Sequence, residues 1–106
     1  GLAANVSASL LPVMPAAVGF AKQGIGPGAI GRNLASYGPS VSFEEGVEEW
    51  QRSVMADAQT SGGLLVAVGQ ETEAEFLAIA EQAGLSLSPI GRLQALDGAR
   101  FIEVIQ

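Results

Sequence analysis

Apolar and polar positions alternate over residues 5–11, with Val6, Ala8 and Leu10 on one side and Asn5, Ser7 and Ser9 on the other. Period two predicts a half-buried strand, ended by Pro12, which has no N–H for a ladder. Met14, Ala17, Val18 and Ala21 then recur at helical spacing. Pro15 suits a first helical position and Gly24 a left-handed stop, so a helix is predicted over 15–23. From Gly24 to Pro39 the chain carries five glycines and two prolines. This reads as loop with one helical turn around 30–36, then a brief extended piece at Val41–Phe43. The stretch is too apolar for a flexible linker, and no domain boundary is placed in it.

Farther on, Val47, Trp50, Gln51 and Val54 fall at i, i+3, i+4 and i+7, opposite Glu44, Glu45, Glu48 and Glu49. That predicts an amphipathic helix over 44–56, its carboxylates in the half where the helix dipole favours them. Leu64–Val68 is a short apolar run between glycines and predicts a strand buried on both faces. Thr72 and Glu75 match a capping box, Phe76, Ile79, Ala80 and Ala83 form an apolar stripe, and Gly84 supplies the stop. Strands over 85–93 and 100–105 follow, with Asp97-Gly98 as a hairpin turn between them. This order predicts an α+β domain: a two-layer mixed sheet with helices packed on one face.

Composition narrows the chemistry mainly by exclusion. The 106 residues hold five Lys+Arg against eleven Asp+Glu, a net charge of −6, and neither cysteine nor histidine. There is then no thiol nucleophile, no histidine-based triad, no zinc site of the usual ligands and no redox pair. With one lysine, Lys22, the chain lacks the cationic surface that nucleic-acid binding needs. No apolar run approaches a membrane span of ~20 residues, and no signal peptide is present, so a cytoplasmic protein is expected. At 48% hydrophobic and 15% charged residues, a single globular domain is expected, burying roughly 60–70% of the unfolded chain's surface. The chain opens on Gly1 rather than Met and is expected to be a piece of something longer. A sheet lacking an edge element would expose unpaired N–H and C=O groups, so self-association through swapped or augmented strands is also expected.

Three polar features could carry chemistry. Gly26-Pro27-Gly28-Ala29-Ile30-Gly31 matches Gly-x-Gly-x-x-Gly. It follows a predicted helix rather than a strand, and Pro27 removes a donor, so it is not read as a dinucleotide site. Arg32 and Asn33 offer donors suited to phosphate, with an ordinary surface ion pair as the competing reading. Asp57-Ala58-Gln59-Thr60-Ser61-Gly62-Gly63 is the densest polar cluster. Its hydroxyls, amide and glycines could form an anion-binding nest, or the segment could simply turn the chain into the next strand. The Glu44–Glu49 run reads as a solvated face rather than a metal site, and Trp50 as part of the core. Asn5-Val6-Ser7 fits the glycosylation pattern without other signs of secretion.

The Asp57–Val68 stretch closely resembles the signature of the C-terminal domain of the selenophosphate synthetase (selenide, water dikinase) family. Leu11–Ala17 resembles that family's strand-to-helix junction, and Gly24–Asn33 its glycine loop ending in Arg-Asn. Ile90-Gly91-Arg92 and the last strand resemble its closing hairpin. Ala58 departs from the family's usual proline. The resemblance implies a C-terminal-domain fold like that of aminoimidazole ribonucleotide synthetase, truncated at its N-terminus. It implies an enzyme that converts ATP, selenide and water into selenophosphate, AMP and phosphate with Mg²⁺. The family's nucleophilic cysteine or selenocysteine, its lysine and its metal-binding aspartates match no position here. The fragment is therefore expected to hold no catalytic or metal-binding residue, to bind neither ATP nor Mg²⁺ alone, and to work only beside the parent's N-terminal ATP-binding domain. Gln59, Thr60, Ser61, Gly62 and Gly63, with Arg32 and Asn33, are the expected substrate- or anion-binding residues. A non-catalytic module on the same fold and a sister ATP-dependent synthetase are the alternatives.

Overall fold

The computed structural model describes residues 1–98 and 100–106. Four strands and four α-helices run in the order β1 (Leu2–Ser7), α1 (Pro15–Lys22), α2 (Ala29–Tyr37), β2 (Val41–Phe43), α3 (Glu49–Met55), α4 (Glu73–Gln82), β3 (Gly91–Ala95) and β4 (Ile102–Ile105). The α+β class predicted from the pattern is the one observed, with a mixed sheet of order β2-β4-β1-β3.

β1 occupies the middle of that sheet, antiparallel to β3 (Leu2 opposite Ala95, Val6 opposite Gly91) and parallel to β4 (Ala4 opposite Ile102, Ser7 opposite Ile105). The expected β3–β4 hairpin therefore does not form. Six residues, 96–101, separate the two strands, enough to step over one strand at about 4.8 Å per position. Gly98 still turns the chain at φ 83°. The first strand also ends earlier than its alternation predicts. Beyond Ser7 neither neighbour offers a partner, and Ala8–Leu10 closes as a 3-10 turn with Leu10 exposed.

Helix α1 matches its prediction, with Pro15 at its start. Gly24, at φ 73°, lets the chain reverse so that Ile25 N–H reaches the Phe20 carbonyl at 3.0 Å. The glycine loop is more ordered than expected, because α2 extends two and a half turns rather than one. α3 begins later than its pattern implies. Glu44 and Glu45 lie before it, while the Gln51 side-chain oxygen accepts from Glu48 N–H at 2.8 Å and fixes the first turn. Thr72 makes no capping box with Glu75. A 3-10 turn at Gln70–Thr72 already has Thr72 near helical angles, and its hydroxyl donates back to the Gly69 carbonyl at 3.1 Å.

The core is small. Ala8, Val47 and Val104 are buried, with Val41, Phe43 and Met55 packed around them. Arg52 lies over the Phe43 ring and donates to the Val47 carbonyl at 3.1 Å, tying α3 to the sheet. The accessible surface is 7831 Å². Against an extended chain of this mass only about half the surface is buried, less than the 60–70% expected from length. Much of the difference lies in the second half of the chain. Leu64–Val68 forms no regular element and pairs with no strand among the described residues, and Leu64 is 92% exposed and Leu65 77%. The predicted buried strand is thus absent, because the four strands fill the sheet and none lies beside this run. Residues 85–90, predicted as strand, are likewise unpaired up to Ile90, and Ile79, Leu85 and Leu87 stay open to solvent.

Candidate functional site

One concave surface gathers most of the chemistry-bearing segments. A groove of about 900 Å³ is walled by the Pro12–Met14 junction, α1, the Gly24–Pro27 loop, the end of α3 and the Gln59–Gly63 loop. Two stretches far apart in sequence, 12–30 and 53–63, therefore face one space. α1 and α3 pack together beneath it, with the Lys22 ammonium 5.1 Å above the Trp50 ring. Trp50 is accordingly a packing residue, though its buried Nε1 finds no acceptor among the described residues.

The groove is lined by apolar side chains, including Met14, Phe20, Ile25 and Ile30, and by the hydroxyls of Ser53, Thr60 and Ser61. Among the described residues its one charged lining residue is Asp57, whose Oδ1 is buried and has no hydrogen-bond partner there. With no cation in its lining, the groove would meet an anion through backbone N–H groups rather than through charge neutralisation. The residue that gives the loop its curvature is Ser61, at φ 54°, not either glycine. A left-handed non-glycine residue costs roughly 1–2 kcal/mol, and such strain persists only where the surroundings impose it. A Cβ on Gly62 would sit 3.4 Å from Gln59, whereas one on Gly63 would meet open space.

Arg32 and Asn33 stand apart from the groove lining, on α2. Arg32 is exposed. Asn33 instead ties two elements together: its Nδ2 donates to the Ala56 carbonyl at 2.8 Å. That bond fixes α2 to the end of α3, one residue before Asp57. Asn33 thus sets the position of the 57–63 loop from behind. The groove also takes apolar lining from Met14, marked in the sequence only by its helical spacing, and from Phe20, which no sequence pattern singles out. Among the described residues no group of three or more carboxylates gathers to hold a metal ion, so the residues present do not fit a Mg²⁺ site. Among the described residues no helix is long and apolar enough to cross a membrane.

No family model matches the chain. It is 50% identical over all 106 residues to selenide, water dikinase of Aeromonas salmonicida and 48% identical over the same length to that of Aeromonas hydrophila. The chain is homologous, end to end, to a stretch of selenide, water dikinase. Identity to the Pseudomonas putida dikinase is 45% over 93 residues, or 88% of this chain. The chain spans about 30% of the length of the Aeromonas dikinases. At such identity the groove-forming segments correspond to parts of a longer enzyme, and the mixed sheet with its four helices is the fold of that part.

Proposed function

We propose that these 106 residues form one domain, a fragment of the C-terminal domain of a selenophosphate synthetase, and that the groove walls one side of its active-site cleft. The parent enzyme would convert ATP, selenide and water into selenophosphate, AMP and phosphate, in the cytoplasm. The observation that carries this reading is the convergence of the Pro12–Met14 junction, the glycine loop and the Gln59–Gly63 loop on one groove, in a chain homologous throughout to the dikinases.

Within that cleft, Gln59, Thr60 and Ser61 would present an amide and two hydroxyls, and Gly62 and Gly63 would admit a ligand close to the backbone. Asn33 would hold the loop in place, and Arg32 would meet groups beyond the groove. ATP and Mg²⁺ would be held by the parent's N-terminal ATP-binding domain. Phosphoryl transfer needs metal-bridged phosphates and a positioned nucleophile, so the fragment alone is expected to be inactive. The test is selenophosphate production by the full-length enzyme carrying Thr60→Ala, Ser61→Ala or Gly62→Val. At least a tenfold loss is expected for Gly62→Val, whose branched side chain crowds Gln59 and fills the space beside the loop backbone. Wild-type production in all three would remove the site assignment.

A further inference from the structure

The proposed reaction splits two phosphoryl groups from ATP and sends only one of them to selenium. The other goes to water and leaves as phosphate. Water attacks phosphorus slowly unless a base orients it and takes its proton as the new bond forms. This chain has no histidine or cysteine to do so, and among the described residues neither lysine nor tyrosine lines the groove. Asp57 is the one ionisable side chain in that lining.

The backbone around Asp57 is fixed from two sides. Its N–H donates to the Val54 carbonyl at 3.2 Å, and the Ala56 carbonyl just before it accepts from Asn33 Nδ2 at 2.8 Å. Its carboxylate is left unspent: Oδ1 is buried without a partner, and no cation shares the lining among the described residues. The hydroxyls of Ser53, Thr60 and Ser61 line the same groove, so a water beside Asp57 has further polar groups around it. From Ala58 to Gly63 no backbone N–H is bonded to a backbone carbonyl among the described residues. Those donors are free to meet an anion. A proton acceptor and an anion cradle thus adjoin on one loop, as attack by water on a phosphoryl group requires.

Charge decides which reactant takes the place beside the carboxylate. At ~5 Å and an effective dielectric of ~20, an uncompensated carboxylate weakens binding of a monoanion by roughly a hundredfold or more. Selenide and the phosphates are anions, whereas water is neutral and offers a donor. We propose, resting on the function above, that Asp57 is a catalytic residue of the full-length enzyme, the base for the water-consuming step. The water oxygen bonds to the phosphorus of the phosphoryl group attached to AMP. The P–O bond to AMP breaks, its electron pair leaves with AMP, and the water proton passes to the Asp57 carboxylate. Attack by selenium on the other phosphoryl group does not use Asp57.

Phosphorus NMR of ATP and selenide with full-length variants tests this, because it reads each product separately. Asp57→Asn keeps the size of the side chain but cannot take the proton. It should slow release of AMP and phosphate by about a hundredfold or more, while selenophosphate still forms and ADP accumulates. Its KM for ATP should stay within about threefold of the wild-type value, since uniform binding is untouched. Asp57→Ala should respond to added formate, a carboxylate that fits the vacated space, with about a tenfold recovery of phosphate release. A group that only shapes the loop would give no such rescue. Phosphate release by Asp57→Asn at the wild-type rate overturns the proposal. So does a parallel fall of selenophosphate and AMP in both variants that formate does not relieve, which makes Asp57 a structural residue. A wild-type full-length protein that forms no selenophosphate overturns the proposed function itself, and this step with it.

Discussion

Gly91 gives the sharpest check on the sheet topology. A Cβ at this position would overlap the Asn5 carbonyl oxygen and stand 3.0 Å from Val6 Cα and 3.1 Å from the Asn5 carbonyl carbon. All three atoms are backbone of the central strand, so no side chain can rotate away. Overpacking of this kind costs about 1–3 kcal/mol, and with backbone as the obstacle the upper end applies. A small domain loses roughly 1 kcal/mol of stability per molar urea at the shallow end of the usual range. Gly91→Ala should thus lower the urea midpoint by about 2–3 M or abolish cooperative unfolding. Gly31→Ala is the control. Gly31 lies inside α2, exposed, with nothing near its missing Cβ. There the same methyl should stabilise by about 0.5–1 kcal/mol through the lower helix cost of alanine. Opposite shifts are the expected result. A Gly91→Ala protein as stable as the parent would mean that β3 does not lie against β1 in this register.

Other substitutions probe the ties behind the groove. Asn33→Ala removes the bond to the Ala56 carbonyl and should cost about 1–2 kcal/mol in urea unfolding, because a part-buried acceptor is left unpaired. Gln51→Leu keeps side-chain volume at a buried position but deprives Glu48 N–H of its acceptor, and should cost about 1–2 kcal/mol. Ser61→Gly relieves a left-handed φ worth roughly 1–2 kcal/mol, offset by about 0.5–1 kcal/mol of extra chain entropy. Its melting temperature should rise by a few degrees, while the loss of its hydroxyl tests the groove in the full-length enzyme.

The elements legible in the sequence were those that local chemistry decides. Pro15 and Gly24 bound α1, Val41–Phe43 forms its brief strand, and Gly84 stops α4 with φ 79°. What stayed hidden depends on partners distant in sequence. Asp97-Gly98 carries a hairpin signature, yet β1 takes the place between β3 and β4, and no turn residue reports that. Leu64–Val68 has a strand's composition, but composition cannot supply a neighbouring edge. The site divides the same way. Gln59–Gly63 stood out by polar density and does line the groove, whereas Asn33, singled out for its amide, spends that amide on Ala56. Met14, noted for its helical spacing, lines the open groove at 74% exposed, beside Phe20 at 55%, which no pattern singles out.

The proposed function makes this chain part of a selenophosphate-forming enzyme that does no chemistry alone. Phosphorus NMR of ATP and selenide, incubated with either the full-length protein or residues 1–106, tests it most directly. Selenophosphate with matching AMP and phosphate is expected from the full-length protein, and unchanged ATP with the fragment. ATP turnover by the fragment, or a full-length protein that makes no selenophosphate, would contradict it.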